Sequence, residues 1–447
     1  MFTRSLARLH ALLAPEGAAL DLAMLRISVV AVLLRSASVA SAERWAALPE
    51  AARTLPLGVG WLVPHLPIDP ATVRLAQLAL WLVGGIALVG LFTRAALALL
   101  VPLAFYLLLV PQLGGAVFHD HHLLWLLVIL AASPCGDGLS IDAWRARRRG
   151  RPLPQRGRAH GAAVRAAWVV IGLVFFFPGV HKLAESGLAW AFSDNLRHQM
   201  WWKWAQDPAL LPALRIDRLP WLCQLLALLT IAFELAFLPL VLHPRTRALA
   251  VLGALAFHAG AEVFMGISFS VLWACYGMFV PWEALARRFE LVGPEDASTE
   301  RPRALAPIAA AAALVLGGVL VAGTLGATQA YPFACYPTFA RIVPDHMPAM
   351  RVELEGTNGA RRALDRALYQ EAGPRGWALA WRLVGAYGAP SPGAIEAWWR
   401  DAATRAPLAS SLEPGDVVHV LRAEVSVDPD RSLEVLSAEE VWSGPAR

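Results

Sequence analysis

The sequence predicts an all-α polytopic membrane bundle of about nine transmembrane helices with a small C-terminal α+β extramembrane domain. Three observations carry this reading. Hydrophobic residues make up 57% of the 447 and charged residues only 16%, against roughly 25% charged in soluble domains. The apolar residues gather in runs long enough to cross a bilayer, and the mean hydropathy of the chain is +0.50. Beyond about residue 341 the composition turns charged and mixed.

Taken in order, the apolar runs fall at about 20–41, 72–93, 95–113, 121–140, 164–183, 219–242, 246–263, 265–283 and 304–328. Each approaches the roughly 20 residues that a spanning helix needs. Arg4 and Arg8 precede the first run, which ends in SVASAER and so resembles a cleavable leader. Its long polar lead, and Arg26 and Arg35 within the core, favour an uncleaved first span. The loop at 143–165 holds Arg145, Arg147, Arg148, Arg149, Arg151, Arg156, Arg158 and Arg165 and no acid. Such a loop belongs in the cytoplasm. Counting nine spans from it puts the N-terminus, Arg94, Arg245/Arg247 and Arg287/Arg288/Arg301/Arg303 inside as well. The expected location is therefore a bacterial inner membrane, with the C-terminal domain periplasmic. The net charge of +5 lies in these loops, which marks topology rather than nucleic-acid binding.

Residues 1–340 form the membrane part and 341–447 the outer domain. The latter reads as a strand at MRVELEG, helical stretches near 360–371 and 393–406, and two strands, VVHVLRAEVSV and SLEVLSAEEVW, joined by a DPDRS turn. The four cysteines form no CxxC pair, so they support no zinc or redox motif. Cys223 and Cys335 fall on the same side and could meet as a disulfide.

Topology gathers the ionisable residues of the spans. His119, Asp120, His121 and His122 open the fourth span at its outer end, Lys182 closes the fifth at its outer end, and His258 lies near the outer end of the seventh. Glu262 follows His258 by four residues, on one helical face. Glu234 sits nearer mid-membrane in the sixth span, where Arg26 or Arg35 could pair with it. Intramembrane ionisable groups tend to face the bundle interior and mark function. Each also has a plain reading: Lys182 as an interfacial anchor, His258 as a packing histidine, the HDHH cluster as a surface metal trap, its imidazoles suited to zinc or copper, or as a solvated loop. Trp201, Trp202 and Trp204 read as an aromatic belt or a half-inserted amphipathic helix that could cover a pocket mouth.

LRISV in the first span, HDHHLLWLL, SIDAW, FPGVHKL with Trp190 downstream, AFHAGAEVFMGISFSVLW and YPFACYPTFA occur in one order. Over roughly residues 15–340 this order resembles the HTTM family of vitamin K-dependent γ-glutamyl carboxylase-like membrane proteins. The resemblance implies an enzyme that uses a reduced quinone, vitamin K or menaquinol, with oxygen and carbon dioxide. It would carboxylate glutamate or a related carbon acid at the outer face. Lys182 matches the family's base on the hydroquinone, His121 a histidine suited to stabilise negative charge, and His258 the histidine of the FH motif. Asp120, His122, Glu234, Glu262 and Arg26 would support them, with no metal. The implied partners are the bilayer, a lipid quinone and a peptide or protein substrate. Asp120 stands where the carboxylase has asparagine, His181 stands where it has lysine, and the outer domain is much smaller. The alternative is a non-catalytic maturation or immunity partner in a peptide-export or toxin system. A transporter is a third reading, although no inverted repeat is visible.

Overall fold

A computed structural model describes residues 13–115, 120–151, 153–291, 305–335, 339–370, 374–386, 388–431 and 433–447. Arg4, Arg8, His119, Arg301 and Arg303 lie outside the described residues. Among the described residues, seven helices, not nine, are long and apolar enough to cross a membrane. We label α1 Ala19–Leu34, α2 Ala37–Ala46, α3 Pro70–Val89, α4 Thr93–Leu109, α5 His122–Ala132, α6 Ile141–Arg148, α7 Arg158–Ser186, α8 Asn195–Gln206, α9 Pro220–Leu242, α10 Arg247–Met265 and α11 Ala306–Thr324. The first span is α1 and α2 taken together, with a break at Ser36, whose hydroxyl accepts the Val39 N–H and so caps α2.

The two missing full-length spans are the fourth and the eighth. Helix α5 is 11 residues long, about 16 Å at 1.5 Å per residue, and the chain continues through turns to Ser140, which caps α6. Non-helical backbone at this depth persists only where protein groups satisfy it. Arg26 does this: its guanidinium, fully buried in α1, donates 2.6 Å hydrogen bonds to the carbonyls of Cys135 and Leu139. The eighth run is helical over Ser270–Phe279, and Trp168 of α7 donates to the Met278 carbonyl at 3.0 Å. In both places a polar side chain from a neighbouring helix replaces the helical bonds that the sequence pattern promised.

The arginine-rich loops share one end of the bundle. Asp142, at the start of α6, accepts the N–H groups of Phe92 and Thr93 in the α3–α4 turn. Gly17–Ala18 pairs with Arg156–Gly157 as a two-stranded ribbon, and Arg156 bridges to Glu283 at 2.6 Å. Helix α7 starts at this end and delivers Lys182 to the opposite one. Two glycines let α9 lie close against α7. A methyl group on Gly172 would come 2.3 Å from Leu238, and one on Gly179 would come 3.0 Å from the Cβ of Glu234.

The C-terminal part is a four-stranded antiparallel sheet. Its strands are β1 His346–Glu355, β2 Arg361–Ala363, β3 Val417–Ser426 and β4 Val435–Pro445, in spatial order β2-β1-β3-β4. Helices α12 Pro374–Leu383 and α13 Pro392–Ala403 pack on it. The strand pair around the DPDRS turn and the helix near 393–406 match the sequence expectation. The stretch 360–371 does not: it forms β2 and one helical turn, Arg366–Tyr369, because Arg362 pairs with Leu354 in the β1 ladder. Nor does the sequence reading anticipate α12. This part shares cores with the bundle: Leu48 and Ala52 join Trp398 and Val352 in one, and Ala205 joins Trp377 and Val425 in another.

Candidate functional site

The fifth span ends in the centre of the site. Lys182 is buried, with 3% of its side chain exposed, and its Nζ donates to both carboxylate oxygens of Glu234 at 2.8 and 2.9 Å. Glu234, at 6% side-chain exposure, comes from α9. Neither Arg26 nor Arg35 is its partner: Arg26, midway along α1, is engaged with the broken fourth span. Lys182 is therefore not an interfacial anchor reaching for water. The Trp190 ring lies 5.1 Å from Nζ, in reach of a cation–π contact. The Trp190 indole N–H in turn donates to the Phe339 carbonyl at 2.6 Å.

Residues 331–335 and 339–344, just past the last span, lie as a strap across this end of the bundle. His121, at the start of α5, shares a 2.9 Å hydrogen bond between Nε2 and the Ala334 carbonyl. A carbonyl only accepts, so Nε2 carries the proton in this contact. Trp125 donates to Pro332 O at 2.8 Å, and Tyr331 donates to Phe105 O at 2.7 Å. His181, next to Lys182, lies 3.3 Å from the Cys335 sulfur. Ser186, Gln199 and Trp202 hold the carbonyls of Ala340, Arg341 and Pro344. The strap thus links His121 to the turn that carries Lys182.

His258 is buried in α10 within a box of rings, stacked at 4.4 Å on Phe269, 5.4 Å on Phe175 and 5.8 Å on Tyr276. Its Nδ1 is 3.2 Å from the Tyr276 hydroxyl. Phe175 lies seven residues before Lys182 on α7, so His258 sits beside a point about 10 Å back along that helix from the lysine, toward its arginine-rich start.

The remaining expected residues divide. Asp120 accepts from Ser36 at 2.5 Å, at the α1–α2 break, and His122 is buried in α5. Glu262 is exposed: four residues of α10 carry it past the buried face on which His258 lies. Cys223 and Cys335 do not pair, and all four cysteines are free thiols. Cys223 points at the Ile216 carbonyl, 3.5 Å away. The three tryptophans are held by protein rather than standing as a lipid belt. Trp201 donates to Asp217, Trp202 to Pro344 O and Trp204 to Phe264 O. Among the described residues, no group of three His, Cys, Asp or Glu is placed to hold a metal ion.

A family model, the HTTM domain, matches residues 59–282. The chain belongs to the HTTM family. That match takes in Lys182, Glu234, His121 and His258, and the HTTM domain occurs in vitamin K-dependent carboxylase-like proteins. Comparison of this HTTM protein with curated proteins and with solved structures returns no significant match. Sequence reasoning found Lys182 and Glu234 as residues but missed them as a pair. The signal was present in Gly179, three residues before Lys182, where a missing side chain marks a close helix contact. Neither of two cavities, of about 480 and 370 Å³, is lined by Lys182, His121 or His258.

Proposed function

We propose that this HTTM protein is a quinol-dependent, carboxylase-like membrane enzyme in which the Lys182–Glu234 pair handles the proton of the hydroquinone. The observation that supports it is a lysine buried in an apolar layer and bound through two hydrogen bonds to an equally buried carboxylate. Such a pair is neutral as a whole, so burying it costs far less than burying either ion alone. Moving one proton from Nζ to the carboxylate leaves a neutral amine beside a carboxylic acid. The low local dielectric favours that exchange over separating the charges. The amine is then a base inside a dry site, and it returns to ammonium beside the phenolate formed.

The surroundings suit a hydroquinone, with Trp190 against Nζ and apolar Leu183, Leu235 and Phe339 packed with Trp190. A bound hydroquinone would supply the acidic hydroxyl and the electrons for oxygen. His121 holds its proton on the Ala334 carbonyl and so fixes the strap; His258 packs the interior beside α7. Access to the pair requires the Trp190–Phe339 contact to open. The substrate to be carboxylated would be a glutamate or related carbon acid at the end of the bundle away from the arginine loops, which we take as the outer, periplasmic face.

The test is incubation of the purified protein with reduced menaquinone, oxygen and labelled bicarbonate, with Lys182→Ala as control. Quinone epoxide and label uptake that depend on Lys182 support the reading. Epoxide without label uptake assigns epoxidation alone. Neither product from folded protein overturns it in favour of a non-catalytic maturation or immunity partner.

A further inference from the structure

A second polar site lies at the junction of the bundle and the C-terminal part. A cavity of about 480 Å³ is lined by Lys203, Arg341 and Glu185 together with Trp202, Phe339 and Trp381. Arg341 and Glu185 satisfy one another at 2.8 Å. Lys203 is different. It is half-buried in α8, its Nζ is 3.4 Å from Gln206 Oε1 and 5.6 Å from the centre of the Phe339 ring. No carboxylate among the described residues pairs with it. The charged lining therefore sums to one positive charge, two cations against one acid. Partly buried ammonium groups are costly unless they are paired, so an anion from outside the chain would be favoured beside Lys203.

We propose that this cavity binds a ligand bearing a single carboxylate flanked by apolar or aromatic surface, with the carboxylate on Lys203. A single net positive charge fits a monocarboxylate better than a phosphate dianion. The three aromatic rings give the flank large apolar contact at low entropy cost. Gln199, Gln206 and Gln329 also line the cavity and offer amide groups to a polar or peptide-like portion of the ligand. Burial lowers the Lys203 ammonium to about 8, so a bound carboxylate, which favours the charged form, is coupled to its protonation.

The site is separate from the Lys182 pair, and Phe339 is the residue they share: its ring faces Lys203 and its carbonyl holds Trp190, which lies on Lys182. The inference does not rest on the quinol reading, since binding is measured without turnover.

The experiment is a calorimetric titration of the full chain in neutral-lipid nanodiscs with N-acetylphenylalanine and with its uncharged amide. The acid is expected to bind about tenfold or more tighter than the amide, the worth of one charge-assisted hydrogen bond. Lys203→Met should abolish that preference, and Lys203→Arg should keep it. The preference should fade as the pH rises through about 8. Equal binding of acid and amide, or a preference that survives Lys203→Met, overturns the proposal. So does inorganic phosphate binding more tightly than the acid, or loss of the preference in nanodiscs of anionic lipid, which would give the cation to a phosphate or to lipid headgroups. A Lys203→Met protein that does not fold leaves Lys203→Arg and the acid–amide comparison to decide.

Discussion

Removing the carboxylate of Glu234 should be among the most damaging single changes in the membrane part. Both members of the pair are nearly solvent-free, at 3% and 6% side-chain exposure, and two hydrogen bonds of 2.8 and 2.9 Å join them. Glu234→Leu leaves an ammonium in an apolar layer, and breaking a buried pair in this way costs about 3–5 kcal/mol. That is a change of about 10² to 4 × 10³ in the folding equilibrium. Lys182→Met should cost a similar amount by stranding the carboxylate. The double variant Lys182→Met/Glu234→Leu removes both charges and replaces them with apolar groups of similar volume. It should therefore be within about 1 kcal/mol of the parent, or more stable than it. The assay is a denaturant titration in mixed micelles, followed by tryptophan fluorescence and read as a double-mutant cycle. The coupling should be several kcal/mol. Additive costs, with the double variant as unstable as the two singles summed, would refute the argument that the ions are held chiefly by each other.

Other outcomes follow from the same contacts. Gly179→Val should cost about 1–3 kcal/mol, because its Cβ would lie 3.0 Å from that of Glu234 and force α7 and α9 apart; the same titration reads it. Arg26→Met should leave the Cys135 and Leu139 carbonyls unsatisfied inside the bundle, at about 1–3 kcal/mol for each. Arg26→Lys should rescue it poorly, since a single ammonium does not span both sites as a guanidinium does; yield of folded protein after detergent extraction is the measurement. The stability of the parent should rise with pH between about 8 and the ordinary lysine range. The folded state lowers the Lys203 value to about 8, so the unfolded chain binds more protons across that window and the cost of burying the ammonium disappears as it is lost. Lys203→Met should flatten this slope, and an unchanged slope would mean that other groups set it.

Much of this molecule is legible in its sequence because hydrocarbon solvation is a local property. Run length and charge poverty mark the seven full-length spans one at a time, the arginine loops identify a common end, and the alternation around the DPDRS turn marks a hairpin. None of these needs to know what a segment touches. Lys182, His121 and His258 were likewise visible as ionisable groups in apolar runs.

What only the tertiary structure decided are the pairings. Runs 121–140 and 265–283 have the composition of full spans, yet Arg26 and Trp168 satisfy carbonyls from other helices, so the backbone is free to leave the helix early. Arg26, the supposed partner of Glu234, is thereby occupied, and Glu234 goes to Lys182 because Gly179 brings α9 close. Glu262 shares a helical repeat with His258 and still faces outward. A period of 3.6 residues places groups on a helix, but packing decides which arc of that helix is the interior. Spacing along the chain thus determined where the charges are in depth. Which charges neutralise one another was settled by helix contacts between residues dozens of positions apart, and no local pattern records those.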